Sequence, residues 1–278
     1  MPITLMYITN NPEVAMIAQR AGVDRIWVDL ETLGKEERQA GLNTVKSKHS
    51  ISDITKIKPL LSSSAMMVRV NPLNPNSKNE IEQVLAAGAD YIMLPMYRTR
   101  EDVETFIGYV KGRAKTMLLL ETIDAQKNLE DYVDLPGIDE IHIGLNDLHL
   151  AYKKDFMFEL IADGTVDKIT QTLKQHGIRF GFGGFARVGH GMLPAEMILT
   201  EHYALGSSMA ILSRGFCDAN VVENPKDIAE VFEIGVRDIR RKEEEVVKYT
   251  AKQFEDNHNS LVGKVHEIVQ EIRTRKLK

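Results

Sequence analysis

Arg69, Pro95, Glu121 and Asp147 follow one another at intervals of 26 in a chain of 278 residues. Each stands at or just past the end of a short apolar run: MVRV, IMLP, LLLE and IGLND. Two carboxylates arriving on neighbouring runs repel unless a cation lies between them. Their hard oxygens suit Mg2+ or Mn2+, and two protein ligands leave coordination positions for water and a chelating substrate. A structural reading stands beside this one, with Glu121 paired to an arginine and Asp147 capping a short helix that starts at Leu148. Arg69, in an otherwise apolar run, needs a planar anion. That anion is either a protein carboxylate such as Asp29 or Glu31, or the carboxylate or enolate oxygen of a substrate.

The elements that must hold these residues alternate along the chain. Eight short runs read as strands: Leu5–Ile8, Arg25–Leu30, Met66–Val70, Tyr91–Leu94, Thr116–Leu120, Glu140–Ile143, Arg179–Phe182 and Met209–Leu212. They are continuously apolar, as strands covered on both faces are. Amphipathic stretches such as Pro12–Ala21, Lys78–Ala87 and Arg100–Lys111 lie between them, ending at Gly22, Gly88 and Gly112. Eight βα units predict a (β/α)8 TIM barrel over residues 1–222, whose catalytic groups stand at the C-terminal ends of strands. No GxGxxG follows the first strand, which weighs against a dinucleotide fold. Thr32–Ser50 is a long polar interruption bearing Lys35, Arg38, Lys46, Lys48 and His49. Such a loop is functional or mobile; its cations suit an anionic substrate, or simply solvation.

Residues 223–278 read as a C-terminal helical extension, with Asn224 capping a helix opened by Pro225 and a break expected around Asn257–Ser260. Leu261, Val265, Ile268, Val269 and Ile272 form one apolar stripe. It is expected to pack on a neighbouring subunit, making the protein a homo-oligomer, or else on its own barrel. Net charge is −5, which gives no basic face for nucleic acid. One cysteine, Cys217, fits a reducing cytoplasm. The N-terminus lacks the pattern of a signal peptide and no apolar run approaches a membrane span.

Taken together, IWVDLE (26–31), VRVNP (68–72), GADYIMLPM (88–96), LLLET (118–122) and IHIGLNDL (141–148) resemble the HpcH/HpaI aldolase and citrate lyase β-subunit family. The resemblance covers about residues 7–216. It implies a (β/α)8 barrel, a divalent metal, an enolate intermediate, and oligomers built through the C-terminal helix. It matches Glu121 and Asp147 to the metal-binding carboxylates and Arg69 to the arginine on the keto-acid oxygens. It matches the backbone of Gly144, Leu145 and Asn146 to the segment that receives the substrate carboxylate. One position departs: pyruvate aldolases of the family carry an acid–base histidine where this chain has Thr32. The DLE of Asp29–Glu31 looks more like the citrate lyase branch.

The expected activity is therefore a metal-dependent carbon–carbon lyase joining or separating a pyruvate-like keto acid and an aldehyde. His49, brought back over the rim by the long loop, or a metal-bound hydroxide serves as base; a solvated His49 is the alternative. Arg187 and His190, in the glycine-rich run GFGGFARVGHG, are candidates for substrate contact, since barrels often bind anions there. His142 is expected to be a satisfied core residue, and His149 a helix-surface residue or a support for the metal shell. Two rivals remain: a thioester lyase of the citrate lyase type, and a barrel that binds a metabolite without turnover.

Overall fold

In the computed structural model, residues 2–34, 49–219, 221–222 and 224–276 are described. Lys35, Arg38, Lys46 and Lys48 lie outside the described residues. The strands are β1 (Thr4–Ile8), β2 (Arg25–Asp29), β3 (Ala65–Arg69), β4 (Tyr91–Leu94), β5 (Lys115–Leu120), β6 (Glu140–Ile143), β7 (Arg179–Phe182), β8 (Gly184–Phe185) and β9 (Met209–Leu212). All pair in parallel, in the order β7-β6-β5-β4-β3-β2-β1-β9-β8.

The nine segments correspond to the eight expected strands. β7 and β8 are two halves of one run, interrupted at Gly183, whose φ of +48° few side chains tolerate. The first half pairs with β6 and the second with β9. The main-chain bonds Ser208 N to Phe180 O (2.8 Å) and Ser213 N to Phe185 O (3.1 Å) close the barrel.

The helices are α1 (Pro12–Arg20), α2 (Ile51–Ile57), α3 (Ser77–Ala86), α4 (Arg100–Val110), α5 (Ile123–Lys127), α6 (Leu129–Tyr132), α7 (Leu145–Ala151), α8 (Glu159–Ala162), α9 (Thr165–Gln175), α10 (Ala195–Leu205), α11 (Pro225–Val246) and α12 (Ala251–Lys276). Among the described residues no helix is long and apolar enough to cross a membrane.

Two apolar cores result. The larger lies between strands and helices. The smaller fills the barrel interior with Met6, Trp27, Met67, Met93, Met117, Leu119 and Met209. Unbranched methionines adapt to the irregular space inside a closed barrel.

The N-terminal end of the barrel is sealed by charge. Arg25, the first residue of β2, donates bidentately to Glu140, the first of β6, at 2.5 and 2.8 Å. Arg179, opening β7, also donates to Glu140. The Arg25 guanidinium lies 3.8 Å from the Tyr91 ring centroid.

One expectation about the C-terminal extension is corrected. The break falls at 247–250, where Thr250 and Gln253 cap α12 reciprocally. Asn257 is instead held inside α12 by donating to Met197 O and to Glu201 of α10, and His258 meets the same carboxylate. The stripe Leu261, Val265, Ile268 and Val269 is buried against α8 and α10 of its own chain. This contact is the own-barrel alternative considered from the sequence.

Candidate active site

A cavity of about 490 Å³ opens at the C-terminal rim of the barrel, a size ordinary for small-molecule sites. Arg69, the last residue of β3, reaches it beside Asp29, the last of β2. Its Nε and Nη2 both donate to the Asp29 carboxylate at 2.8 Å, and Nη1 lies 3.3 Å from Glu31. Burial alone would lower the Arg69 pKa, but Asp29, then Glu31 and Glu121, raise it well above the ordinary value. Both anions considered for Arg69 from the sequence are thus at hand, and the guanidinium is held in a fixed plane at the cavity wall.

Glu121 follows β5 directly and is 3 % exposed. One carboxylate oxygen accepts from the Met96 backbone N–H at 3.1 Å, and Met96 adopts a φ of +56°. The other oxygen abuts Gly144, where an added Cβ would fall 3.0 Å from it and 2.8 Å from Glu121 Cβ. Gly144 is therefore the residue that lets the strand end after β6 approach this carboxylate. Asp147 lines the same cavity from the first turn of α7, half-buried. That helix begins at Leu145 with Gly144 as its cap residue, so Asp147 is not the helix cap considered from sequence.

Among the described residues the lining holds five carboxylates, from Asp29, Glu31, Glu121, Asp147 and Asp218, and two guanidiniums, from Arg69 and Arg214. Hard carboxylate oxygens on one wall are the donor type a divalent cation takes. Among the described residues no group of three or more His, Cys, Asp or Glu is arranged around a metal position. Any such ion would take its remaining ligands from water and substrate.

His49 enters the cavity from just before α2. Its Nδ1 accepts from the Asp29 backbone N–H at 2.9 Å. An amide nitrogen only donates, so a neutral His49 carries its proton on Nε2. The other end of the long segment is also fixed at the rim. Thr32 N and Leu33 N donate to Asn71 Oδ1, and Asn71 donates to Glu80.

Leu145 and Asn146 line the cavity with Gly144, whereas Arg187 and His190 do not. The Arg187 stem packs toward Gly235 of α11, and His190 is exposed. Position in a glycine-rich rim loop does not fix side-chain direction. Arg214, just past β9, lines the cavity instead, together with Tyr7, Asn10 and Ser213. These were missed, although Arg214 stands just two residues past the last strand, Met209–Leu212.

His149 is buried and bonds the Leu145 carbonyl through Nδ1 rather than standing on the helix surface. His142 is buried as expected but only half satisfied. Its Nε2 meets Gly183 O at 3.1 Å, while Nδ1 has no partner among the described residues.

The family profile described as HpcH/HpaI aldolase/citrate lyase matches residues 3–180. A hydroxypyruvate/pyruvate aldolase of Rhizorhabdus wittichii is 24% identical over 184 residues, covering 52% of this chain and 72% of that protein. An HpcH/HpaI aldolase from Desulfitobacterium hafniense superimposes with a TM-score of 0.59 at 14% identity, over 82% of this chain and 93% of that one. A family protein from Burkholderia cenocepacia gives 0.62 at 13% identity, over 82% and 94%. A citrate lyase from Burkholderia xenovorans gives 0.56 at 16% identity, over 84% and 77%. At these identities the structural likeness speaks to the barrel fold alone.

Proposed function

Because the chain belongs to the HpcH/HpaI aldolase/citrate lyase family, we propose that it is a divalent-metal-dependent lyase that makes or breaks a carbon–carbon bond next to a pyruvate-like 2-keto acid. The observation that carries this reading is the convergence of Arg69, Glu121 and Asp147 on one rim cavity. A bound Mg2+ or Mn2+ would act as a Lewis acid on the keto oxygen and favour the enolate. Glu121 and Asp147 would hold it.

Arg69 contributes positive charge to the keto-acid oxygens as they become more negative. Its two bonds to Asp29 and its contact with Glu31 fix its orientation before substrate arrives, so little reorganisation is needed at that moment. The N-terminal turn of α7, with the amides from Leu145 to Asp147, is the position for the substrate carboxylate. His49 acts through Nε2–H as a hydrogen-bond donor to the aldol oxygen. In that tautomer Nε2 has no lone pair for a proton, so His49 steadies a developing alkoxide rather than removing a proton. The acceptor is an aldehyde, in keeping with the aldolase relative.

Exchange of pyruvate methyl protons in D2O, followed by NMR with Mg2+, Mn2+ or EDTA, tests this without knowledge of the aldehyde. Metal-dependent loss of the methyl signal is the expected result. No exchange with either metal overturns a pyruvate-type nucleophile and points to a thioester, which competition by a coenzyme A ester would reveal.

A further inference from the structure

Past the last main-chain rung between β2 and β3, a side chain takes over the pairing. Asp29 and Arg69 are in register, and Leu30 N donates to Arg69 O at 2.9 Å. Continued parallel pairing would bring Thr32 N onto the main-chain carbonyl of Asn71. It donates instead to the Asn71 side chain, to Oδ1 at 2.9 Å, and Leu33 N joins it at 3.0 Å. The far side of that amide is held as well, since Asn71 Nδ2 donates to Glu80 Oε1 at 2.7 Å. Glu80 lies on α3 and is 9 % exposed. Among the described residues its carboxylate bonds Asn71 alone.

A carboxamide suits both of these partners. Backbone N–H groups only donate, and an ionised carboxylate only accepts. Asn71 offers its oxygen to the first and its NH2 to the second, so the network fixes which way the amide points. A hydrocarbon of the same shape would serve neither side, and a carboxylate only the first. Burial pushes the Glu80 pKa up, and the Asn71 N–H groups oppose that shift by favouring the charged form.

The clamp joins the two chain segments that bring Arg69 and Glu31 together. Asn71 stands two residues past Arg69. Thr32 directly follows Glu31, whose carboxylate lies 3.3 Å from Arg69 Nη1 and whose N–H donates to Asp29 Oδ1 at 3.2 Å. We propose that Asn71, oriented by Glu80, is a positioning residue that keeps Glu31 on the Arg69 guanidinium and so aims that guanidinium at the keto-acid oxygens. Neither Asn71 nor Glu80 lines the cavity, so both act through Arg69 and not on substrate. The aim at keto-acid oxygens rests on the keto-acid reading above; the hold on Arg69 does not.

The test exchanges the polarity of the clamp. Asn71→Asp sets two carboxylates face to face where a hydrogen bond now spans 2.7 Å. Both cannot stay ionised so close, and one takes up a proton as pH falls. Above that point repulsion opens the clamp; below it the shared proton closes it. The double variant Asn71→Asp/Glu80→Gln again faces a donor with an acceptor, roles reversed, and closes it at every pH. Each full-length protein is read in two ways between about pH 5 and about pH 9. Solvent exchange of the Arg69 side-chain N–H protons, assigned against Arg69→Lys, is followed by proton–nitrogen NMR without substrate. The kcat and KM of metal-dependent pyruvate methyl exchange are measured in parallel.

At the alkaline end, Asn71→Asp is expected to exchange the Arg69 protons about tenfold faster than the unaltered protein at the same pH. Its kcat should fall by about tenfold with KM moved less, because the contact strengthens as the enolate forms. Both losses should recover as pH falls, and the double variant should match the unaltered protein throughout. Losses that are the same at every pH, or a double variant no better than Asn71→Asp, overturn the proposal, because Asn71 then only supports the fold. Asn71→Ala opens the clamp without adding charge and should show both losses at every pH, so a poorly folding Asn71→Asp does not remove the test; unchanged Arg69 exchange in Asn71→Ala also overturns it. If the Arg69 protons respond as expected but the unaltered protein exchanges no pyruvate methyl protons, the keto-acid reading falls and the hold on Arg69 stands. If methyl exchange occurs and the Arg69 protons do not respond, the positioning role falls and the lyase reading stands.

Discussion

The barrel carries a cluster of guanidinium and carboxylate groups at each end, and among the described residues guanidiniums outnumber carboxylates at one and carboxylates outnumber guanidiniums at the other. At the N-terminal end, Arg25 and Arg179 share one carboxylate, Glu140, which is 3 % exposed. At the C-terminal rim, Arg69 meets Asp29 and Glu31, with Glu121 and Asp147 on the same cavity. The first cluster closes the barrel on paired charge. The second concentrates carboxylates around an opening of about 490 Å³. Burying charge in either place is costly, and stability alone favours the first arrangement. The same residue types therefore close the barrel at one end and line an open cavity at the other.

Substitutions should separate the two ends. Glu121→Gln or Asp147→Ala is expected to remove metal-dependent turnover, by about 10³-fold or more in kcat. Thermal stability without metal should stay level or rise, because like-charge repulsion is relieved. Wild-type rates for either variant in excess chelator would remove the distinction between the ends. Glu140→Ala should do the reverse. It strands the buried Arg25 charge and should cost about 3–5 kcal/mol in urea unfolding, while the folded fraction keeps its rim chemistry. A loss below about 1 kcal/mol would mean that the plug is not holding the barrel closed.

His49 gives a finer test of the rim. His49→Ala is expected to lose about 10²-fold in kcat, the scale of one donor to a developing oxyanion. His49→Gln, which can still offer an N–H, should recover most of that loss without altering the pH–rate profile. Loss of a limb of that profile in His49→Gln would restore the general-base role.

A more gradual effect, spread over pH, concerns the buried histidines that belong to neither cluster. Burial pushes His142 down to about 4 and His202 down to about 3. The unfolded chain takes up those protons near the ordinary value of 6.5. As pH falls below 6.5 the unfolded state binds protons that the folded state refuses, so stability declines until the folded pKa values are reached. Each histidine steepens the loss of stability with falling pH across that window. Urea midpoints between pH 7 and pH 4 should show this slope, and His142→Phe or His202→Phe should flatten it. Equal slopes in all three proteins would show that these imidazoles titrate as if exposed.

Most of the barrel and part of the site were legible beforehand. The strand runs were readable because parallel strands covered on both faces are continuously apolar, and β2, β5, β6 and β9 fall where those runs predict. Arg69, Glu121 and Asp147 stood out because a charged residue closing an apolar run is conspicuous. Arg214 carried the same signal after β9 and was passed over in favour of Arg187, which the glycine-rich loop made more prominent. The α11–α12 break was legible too, in the Thr250–Gln253 capping pair, but the polar run Asn257–Ser260 looked the stronger breaker until Glu201 was seen to hold Asn257 and His258.

By itself, then, the sequence determined the βα rhythm, the strands that end in reactive groups and the family to which the chain belongs. These depend on local periodicity and on short motifs, which a linear string records in full. Only the tertiary structure decided that Asp29 and Glu31 together orient Arg69, that His49 is tied to the Asp29 backbone, and that the α12 stripe is covered by its own chain. It also decided that Trp27 and His142, 115 residues apart, line the same cavity. Those relations depend on which side chains a closed barrel turns inward at one height, and sequence spacing does not record that.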